Sequence, residues 1–156
     1  MEQLVQLVLL QLEQGGFAYL IITGSSMRPL FREQTDRVRL VPVEHLAAGD
    51  IILYQRANGQ YVLHRIMRLV DEKTYICCGD NQWEREVVEA YQLLAVVSHF
   101  YRGKKEYSIR HFGYRCYVRV WGALLPVRRP ILAVRRRLGK WKNAYRKKKM
   151  SRRNEK

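Results

Sequence analysis

Three short segments carry side chains able to do chemistry together. They are a serine loop, Gly24-Ser25-Ser26-Met27-Arg28-Pro29, a histidine within His64-Arg65-Ile66, and a carboxylate within Gly79-Asp80-Asn81. The serine loop follows a β-branched and aromatic run, Phe17 to Thr23, that reads as a strand. Glycine allows a tight turn and close approach of a substrate backbone, and Pro29 fixes one dihedral. Such a loop presents the Ser26 hydroxyl and leaves backbone N–H groups around Gly24, Ser25 and Met27 to receive a developing oxyanion. A histidine in reach takes the serine proton, and a carboxylate behind the ring holds the imidazole in the tautomer that can do so. Singly, each segment has a plainer reading: a serine-rich turn, a structural histidine, a Gly-Asp-Asn turn. Their joint occurrence points to Ser26 as nucleophile, His64 as general base and Asp80 as its orienting partner.

The pairing of His64 with Asp80 is an expectation of register. Tyr61–Val70 and Thr74–Cys78 read as two antiparallel strands joined by Asp71-Glu72-Lys73. With a three-residue loop, Val70 opposes Thr74, and counting outward brings His64 opposite Asp80. Directly opposed residues have Cβ atoms about 4.5–5.5 Å apart, within reach of a carboxylate–imidazole hydrogen bond. A slip of one residue would send the partnership to the other face. An unperturbed imidazole titrates near pH ~6.5, so activity is expected to rise with pH through that range.

The elements that position these groups are mainly β. Residues 2–13 place Leu4, Leu7 or Val8, and Leu12 at helical spacing, and Gly15-Gly16 ends the helix. Strands are predicted over 17–23, 37–42, 51–55, 61–70, 74–78 and 92–101, the last being the final strand. Asn58-Gly59 is a strong hairpin signal between the third and fourth. Two helices follow, over 113–125 and 130–145, separated by Pro126 and Pro130. The expected organisation is an N-terminal helix (1–16), a β core of hairpins (17–103) and a basic C-terminal helical arm and tail (104–156).

In order and content, the three segments resemble the signal-peptidase and LexA-type serine peptidase superfamily. The closest likeness is to the branch with a histidine base: the archaeal, endoplasmic-reticulum and SipW-like signal peptidases. The serine loop is similar to the nucleophile box of that family, His64-Arg65-Ile66 to its HRI box and Gly79-Asp80-Asn81 to its GDN box. Gly49-Asp50-Ile51-Ile52 is similar to the stretch where the family commonly reads G-D-I/V-V. The resemblance covers about residues 17–100. It implies a signal-peptidase-like β core and a serine endopeptidase that cleaves a leader or signal segment of a peptide or preprotein through an acyl-enzyme, without a cofactor. Gly24 departs from the serine that many signal peptidases carry two residues before the nucleophile, so the oxyanion hole would rest on backbone N–H groups.

Charge divides the chain. Residues 1–101 hold 9 Lys+Arg against 12 Asp+Glu, whereas residues 102–156 hold 20 against 2. A near-neutral body followed by a basic arm suits an acidic partner. In the second C-terminal helix Ile131, Val134, Leu138, Trp141 and Tyr145 recur every three or four residues. Arg135, Arg136, Arg137, Lys140 and Lys142 fill much of the rest. This pattern suits the surface of an anionic membrane, and it equally suits a helix that packs on the body and leaves a solvated basic face. No recognition motif supports nucleic acid as the partner. Neither Leu4–Leu12 nor 117–134 reads as a transmembrane span or a cleavable signal, so a peripheral, cytoplasmic-face location is expected. Cys77, Cys78 and Cys116 lack zinc-site spacing and read as reduced structural thiols, with no metal expected. The rival to the enzyme is a non-catalytic, peptidase-like peptide-binding module tethered by its basic arm to an anionic membrane or to nucleic acid.

Overall fold

The computed structural model describes residues 2–124 together with Pro130 and Val134. Helix α1 (Glu2–Gly15) buries Val5, Val8 and Leu12 and leaves Leu7 and Leu10 exposed. That three-to-four spacing is what seats one face of the helix on the sheet. Gly16, at φ 71°, turns the chain into β1 (Ala18–Ile21), where Ala18 and Leu20 point inward and Tyr19 and Ile21 outward.

Seven further strands follow: β2 (Asp36–Val41), β3 (Ile51–Gln55), β4 (Tyr61–Leu69), β5 (Thr74–Cys78), β6 (Glu86–Glu89), β7 (Leu93–Arg102) and β8 (Lys105–Ser108). Helix α2 (Phe112–Ala123) closes the described chain. All strand pairs are antiparallel, in the order β1-β2-β7-β3-β4-β5-β6, with β8 also on β7. The fold is thus mainly β and built largely from hairpins, as expected. Strands β6 and β8 were not. Residues 104–123, expected to open the basic arm, belong to the body: the compact unit runs through Ala123, β8 pairs with β7, and Tyr114 enters the core. Apart from Pro130 and Val134, the helix expected over 130–145, with Arg135, Arg136, Arg137, Lys140 and Trp141, lies outside the described residues.

Two apolar clusters flank the sheet. The larger joins α1, β1, β2, the serine loop through Met27, Leu30 and Phe31, and Tyr114 of α2. The smaller holds Ile52, Tyr54, Val62, Ile66, Tyr75, Cys77, Val88 and Val96. Cys77 and Cys78 are buried free thiols, and burial pushes the Cys77 thiol up to about 12, which keeps it protonated and inert.

The β4–β5 hairpin decides which carboxylate meets His64. At its closed end the loop has the expected three residues, with the Val70 N–H donating to the Thr74 carbonyl at 2.9 Å. Leu69 opposes Tyr75 and Arg68 opposes Ile76. A bulge between Ile66 and Arg68 then slips the register by one, so that Ile66 opposes Cys77 and Arg65 opposes Cys78. Because side chains alternate along a strand, this slip exchanges faces. Asp80, two residues beyond Cys78, falls on the side of Arg65. The expected His64–Asp80 pairing is corrected on this point.

Candidate active site

His64 lies on β4 opposite Ile52 of β3, and Tyr54, two residues along β3, is its diagonal neighbour on the same face. Glu86 starts β6 opposite Cys77, which itself opposes Ile66, again on that face. Register alone therefore gathers His64, Tyr54 and Glu86. The Tyr54 hydroxyl sits 3.2 Å from His64 Nδ1 and donates to Glu86 Oε2 at 2.9 Å. Glu86 Oε1 lies 3.5 Å from Nδ1. Arg56, at the start of the β3–β4 turn, grips the same carboxylate from the other side, with Nε donating to Oε2 at 2.7 Å and Nη2 pairing with Oε1.

The hydrogen-bond roles follow from chemistry. An ionised carboxylate only accepts, so the Tyr54 hydroxyl spends its proton on Glu86 and offers its oxygen to Nδ1–H. Nε2 is then the unprotonated nitrogen, as a general base requires. Partial burial works to raise the Glu86 carboxyl, but the hydrogen bonds from Arg56 and Tyr54 and the His64 charge outweigh it, and it stays below its usual range. Burial, together with the adjacent Glu86 charge, drives the Tyr54 phenol upward, so it remains a donor.

The Nε2 side of the ring borders Gly79, next to the serine loop. A Cβ placed on Gly79 would lie 3.0 Å from His64 Nε2 and 2.8 Å from the Ser26 carbonyl oxygen. Only a residue without a side chain lets the loop and the imidazole approach one another here. The Asn81 N–H donates to the Ser26 carbonyl at 2.6 Å, and Asn81 Nδ2 donates to the Ser25 carbonyl at 3.2 Å. From below, Met27 is 2% exposed and anchors the loop in the larger core. Its side chain is therefore committed to packing, and only its backbone remains for a substrate. Gly24 and Ser25 are exposed, and Ser26 is half-buried. The structure thus brings Ser26 and His64 into one neighbourhood.

Asp80 serves elsewhere. It is fully buried, and both its carboxylate oxygens face Arg65, with Nε to Oδ1 at 2.9 Å and Nη2 to Oδ2 at 2.7 Å. Tyr117 Oη also donates to Oδ2, at 2.9 Å. The third guanidinium nitrogen, Arg65 Nη1, donates to the Gly49 carbonyl and to Tyr114 Oη, each at 2.7 Å. Burial alone would weaken the Arg65 charge, but the Asp80 hydrogen bonds more than reverse this and hold the guanidinium protonated. The Arg65–Asp80 fork ties the Gly79–Asn81 loop to β4, and the loop in turn holds the serine carbonyls. Asp80 thus acts one step removed from the imidazole, and Glu86 takes the place expected for it. Among the described residues no group of three His, Cys, Asp or Glu side chains is placed to hold a metal ion.

No family model matches the chain, and no curated protein matches it either. Residue geometry carries the functional argument.

Gly79→Ala follows as a test of the close approach. The added methyl meets backbone on one side and the imidazole on the other, so the Ser26 loop must retreat from Nε2. A misplacement of this kind should lower the phosphonylation of Ser26 by a fluorophosphonate at least about 10-fold. Circular dichroism of the variant should remain native.

Proposed function

We propose that this chain is a serine endopeptidase of the signal-peptidase-like, histidine-base type, acting on a leader or signal segment of a peptide or preprotein. Ser26 attacks the scissile carbonyl, His64 Nε2 takes its proton and later returns it to the leaving amine, and water then releases the acyl group. Glu86, through Tyr54 and by its own charge, holds the imidazole in the required tautomer and stabilises the imidazolium that forms. The observation that carries this reading is a buried histidine with one nitrogen tied to a tyrosine–carboxylate relay and the other bordering Gly79, beside the carbonyl of a loop serine. Among the described residues no helix is long and apolar enough to cross a membrane. The basic arm, through Arg135, Arg136, Arg137, Lys140 and Trp141, is the proposed contact with an anionic surface.

A fluorophosphonate probe tests the proposal directly. Stoichiometric labelling that maps to Ser26 by peptide mass supports the enzyme. An intact protein that takes no label, or takes it at another serine, removes Ser26 from the mechanism and leaves the peptide-binding module as the reading.

The pH dependence is specific. Burial lowers His64 from 6.5 to about 4, against the upward pull of Glu86. The base is therefore already neutral at pH 6, and the labelling rate should be flat from pH 8 to pH 6 and fall only toward pH 4. A midpoint near 6.5 would mean a solvated imidazole and contradict the geometry. Stability follows the same group. The unfolded chain binds this proton more readily than the folded one, so the stabilisation is complete above 6.5 and is lost as pH falls from 6.5 toward 4. Urea midpoints between pH 7 and pH 4 should drop accordingly.

A further inference from the structure

Helix α2 lies beyond the stretch that resembles a peptidase, yet it touches the support of the candidate nucleophile directly. Tyr114, Tyr117, Val118 and Trp121 recur at three, four and seven residues, forming one stripe of the helix. Tyr114 hydrogen-bonds to the Gly49 carbonyl at 3.2 Å and receives Arg65 Nη1. Val118 packs on Gly49, where a Cβ would come within 2.9 Å of its Cγ1. Gly49 itself has φ 103°, a conformation that favours glycine. Tyr117 and Trp121 stack with their ring centroids 5.9 Å apart and both reach Asp80, Tyr117 at the carboxylate and Trp121 Nε1 at the backbone carbonyl, 3.0 Å away.

The contact from Trp121 has a particular consequence. The Asp80 carbonyl and the Asn81 N–H belong to one peptide unit, which is planar and rigid. Trp121 holds the carbonyl end of that plane, and the N–H end donates to the Ser26 carbonyl at 2.6 Å. Rotation of this single plane would release Ser26. We propose that α2 is a clamp on the candidate active site, with Trp121 and Tyr117 as positioning residues that fix the Asp80–Asn81 peptide and through it the Ser26 backbone. The catalytic half of this inference rests on the serine-peptidase reading. The mechanical half rests only on the hydrogen bonds. The clamp makes the nucleophile's placement depend on the helix that leads into the basic arm.

The experiment uses the full chain with Trp121→Phe, which keeps an aromatic ring and removes the indole N–H, and separately Tyr117→Phe, which removes one hydroxyl. Two readouts are taken. The first is fluorophosphonate labelling resolved into a maximal inactivation rate and a half-saturating concentration. The second is amide hydrogen exchange at Asn81. In Trp121→Phe the maximal rate should fall about 10-fold with the half-saturating concentration and the pH midpoint unchanged, and Asn81 should exchange at least about 10-fold faster. Tyr117→Phe should shift both in the same direction by less. It also preserves the test if the tryptophan variant fails to fold. Unchanged Asn81 exchange in folded variants overturns the clamp. A parent protein that takes no label overturns the peptidase reading instead, and the exchange data then judge the clamp alone.

Discussion

On the proposed mechanism, replacing Glu86 by glutamine should lower the labelling of Ser26 by about 10²–10⁴-fold at pH 7 while the protein stays folded. The reason is a change of tautomer. With a carboxylate at position 86, the Tyr54 proton has one destination, and the tyrosine oxygen is left to accept from Nδ1–H. An amide can donate as well as accept. It can turn its NH₂ toward the tyrosine oxygen, which frees the phenol proton to bond Nδ1 and drives the imidazole proton to Nε2. A ring protonated at Nε2 cannot take the serine proton. The charge that supports the imidazolium is lost in the same substitution. Stability should change little, because the Arg56–Glu86 pair is partly exposed, at 31% and 26%, and such pairs contribute up to about 1 kcal/mol. Labelling kinetics beside a thermal melt measure both halves. Full activity in a folded Glu86→Gln protein would remove Glu86 from the relay. Tyr54→Phe is the companion variant: it keeps the carboxylate 3.5 Å from Nδ1 and should cost less.

Asp80→Asn should have the opposite signature, a large loss of stability. Asp80 is fully buried and Arg65 is 3% exposed on its side chain, and the two share a bidentate contact. Breaking a buried pair by neutralising one partner leaves an uncompensated charge and costs about 3–5 kcal/mol. For a body of this size that corresponds to a fall in Tm of roughly 10–20 °C. Asparagine retains the shape and one acceptor, so the cost is electrostatic and not one of packing. Activity should fall with it, because the Gly79–Asn81 loop holds the serine carbonyls, but the pH midpoint of the surviving folded fraction should move only slightly downward, because the Asp80 charge is the smallest of those acting on His64. An Asp80 that oriented His64 directly would instead shift the pH profile and leave the melt nearly unchanged. Measuring melt and pH profile together on Asp80→Asn and Glu86→Gln separates the two carboxylates.

Much of the frame was legible in the chain. The helical spacing of Leu4, Leu7 or Val8, and Leu12 gave α1, and Gly15-Gly16 marked its end, although the face that is buried is Val5, Val8 and Leu12, with Leu7 exposed. Strands β3 and β5 were read to the residue, because Asn58-Gly59 and Asp71-Glu72-Lys73 bound them with unambiguous turn chemistry. These are local signals, each resolved within a few residues of itself. Strand β6 escaped because a four-residue Glu-Val-Val-Glu run is too short for a period to stand out. It is a strand by virtue of its pairing with β5. Strand β8 is similarly short and polar, and its strand character comes from its partner β7.

The sequence by itself determined which groups were available: a loop serine, a strand histidine, acidic residues downstream and a glycine between them. It also determined that β4 and β5 meet across a three-residue loop. Tertiary structure decided who touches whom. One bulged residue near Met67 handed Asp80 to Arg65, and two cross-strand registers delivered Tyr54 and Glu86 to His64. No glycine or proline announces that bulge. The physical reason is that strand side chains alternate with a period of two, so a single uncounted residue reverses every facing relation beyond it. Local propensity fixes the longer strands, and only the assembled sheet fixes β6, β8 and the phase of them all.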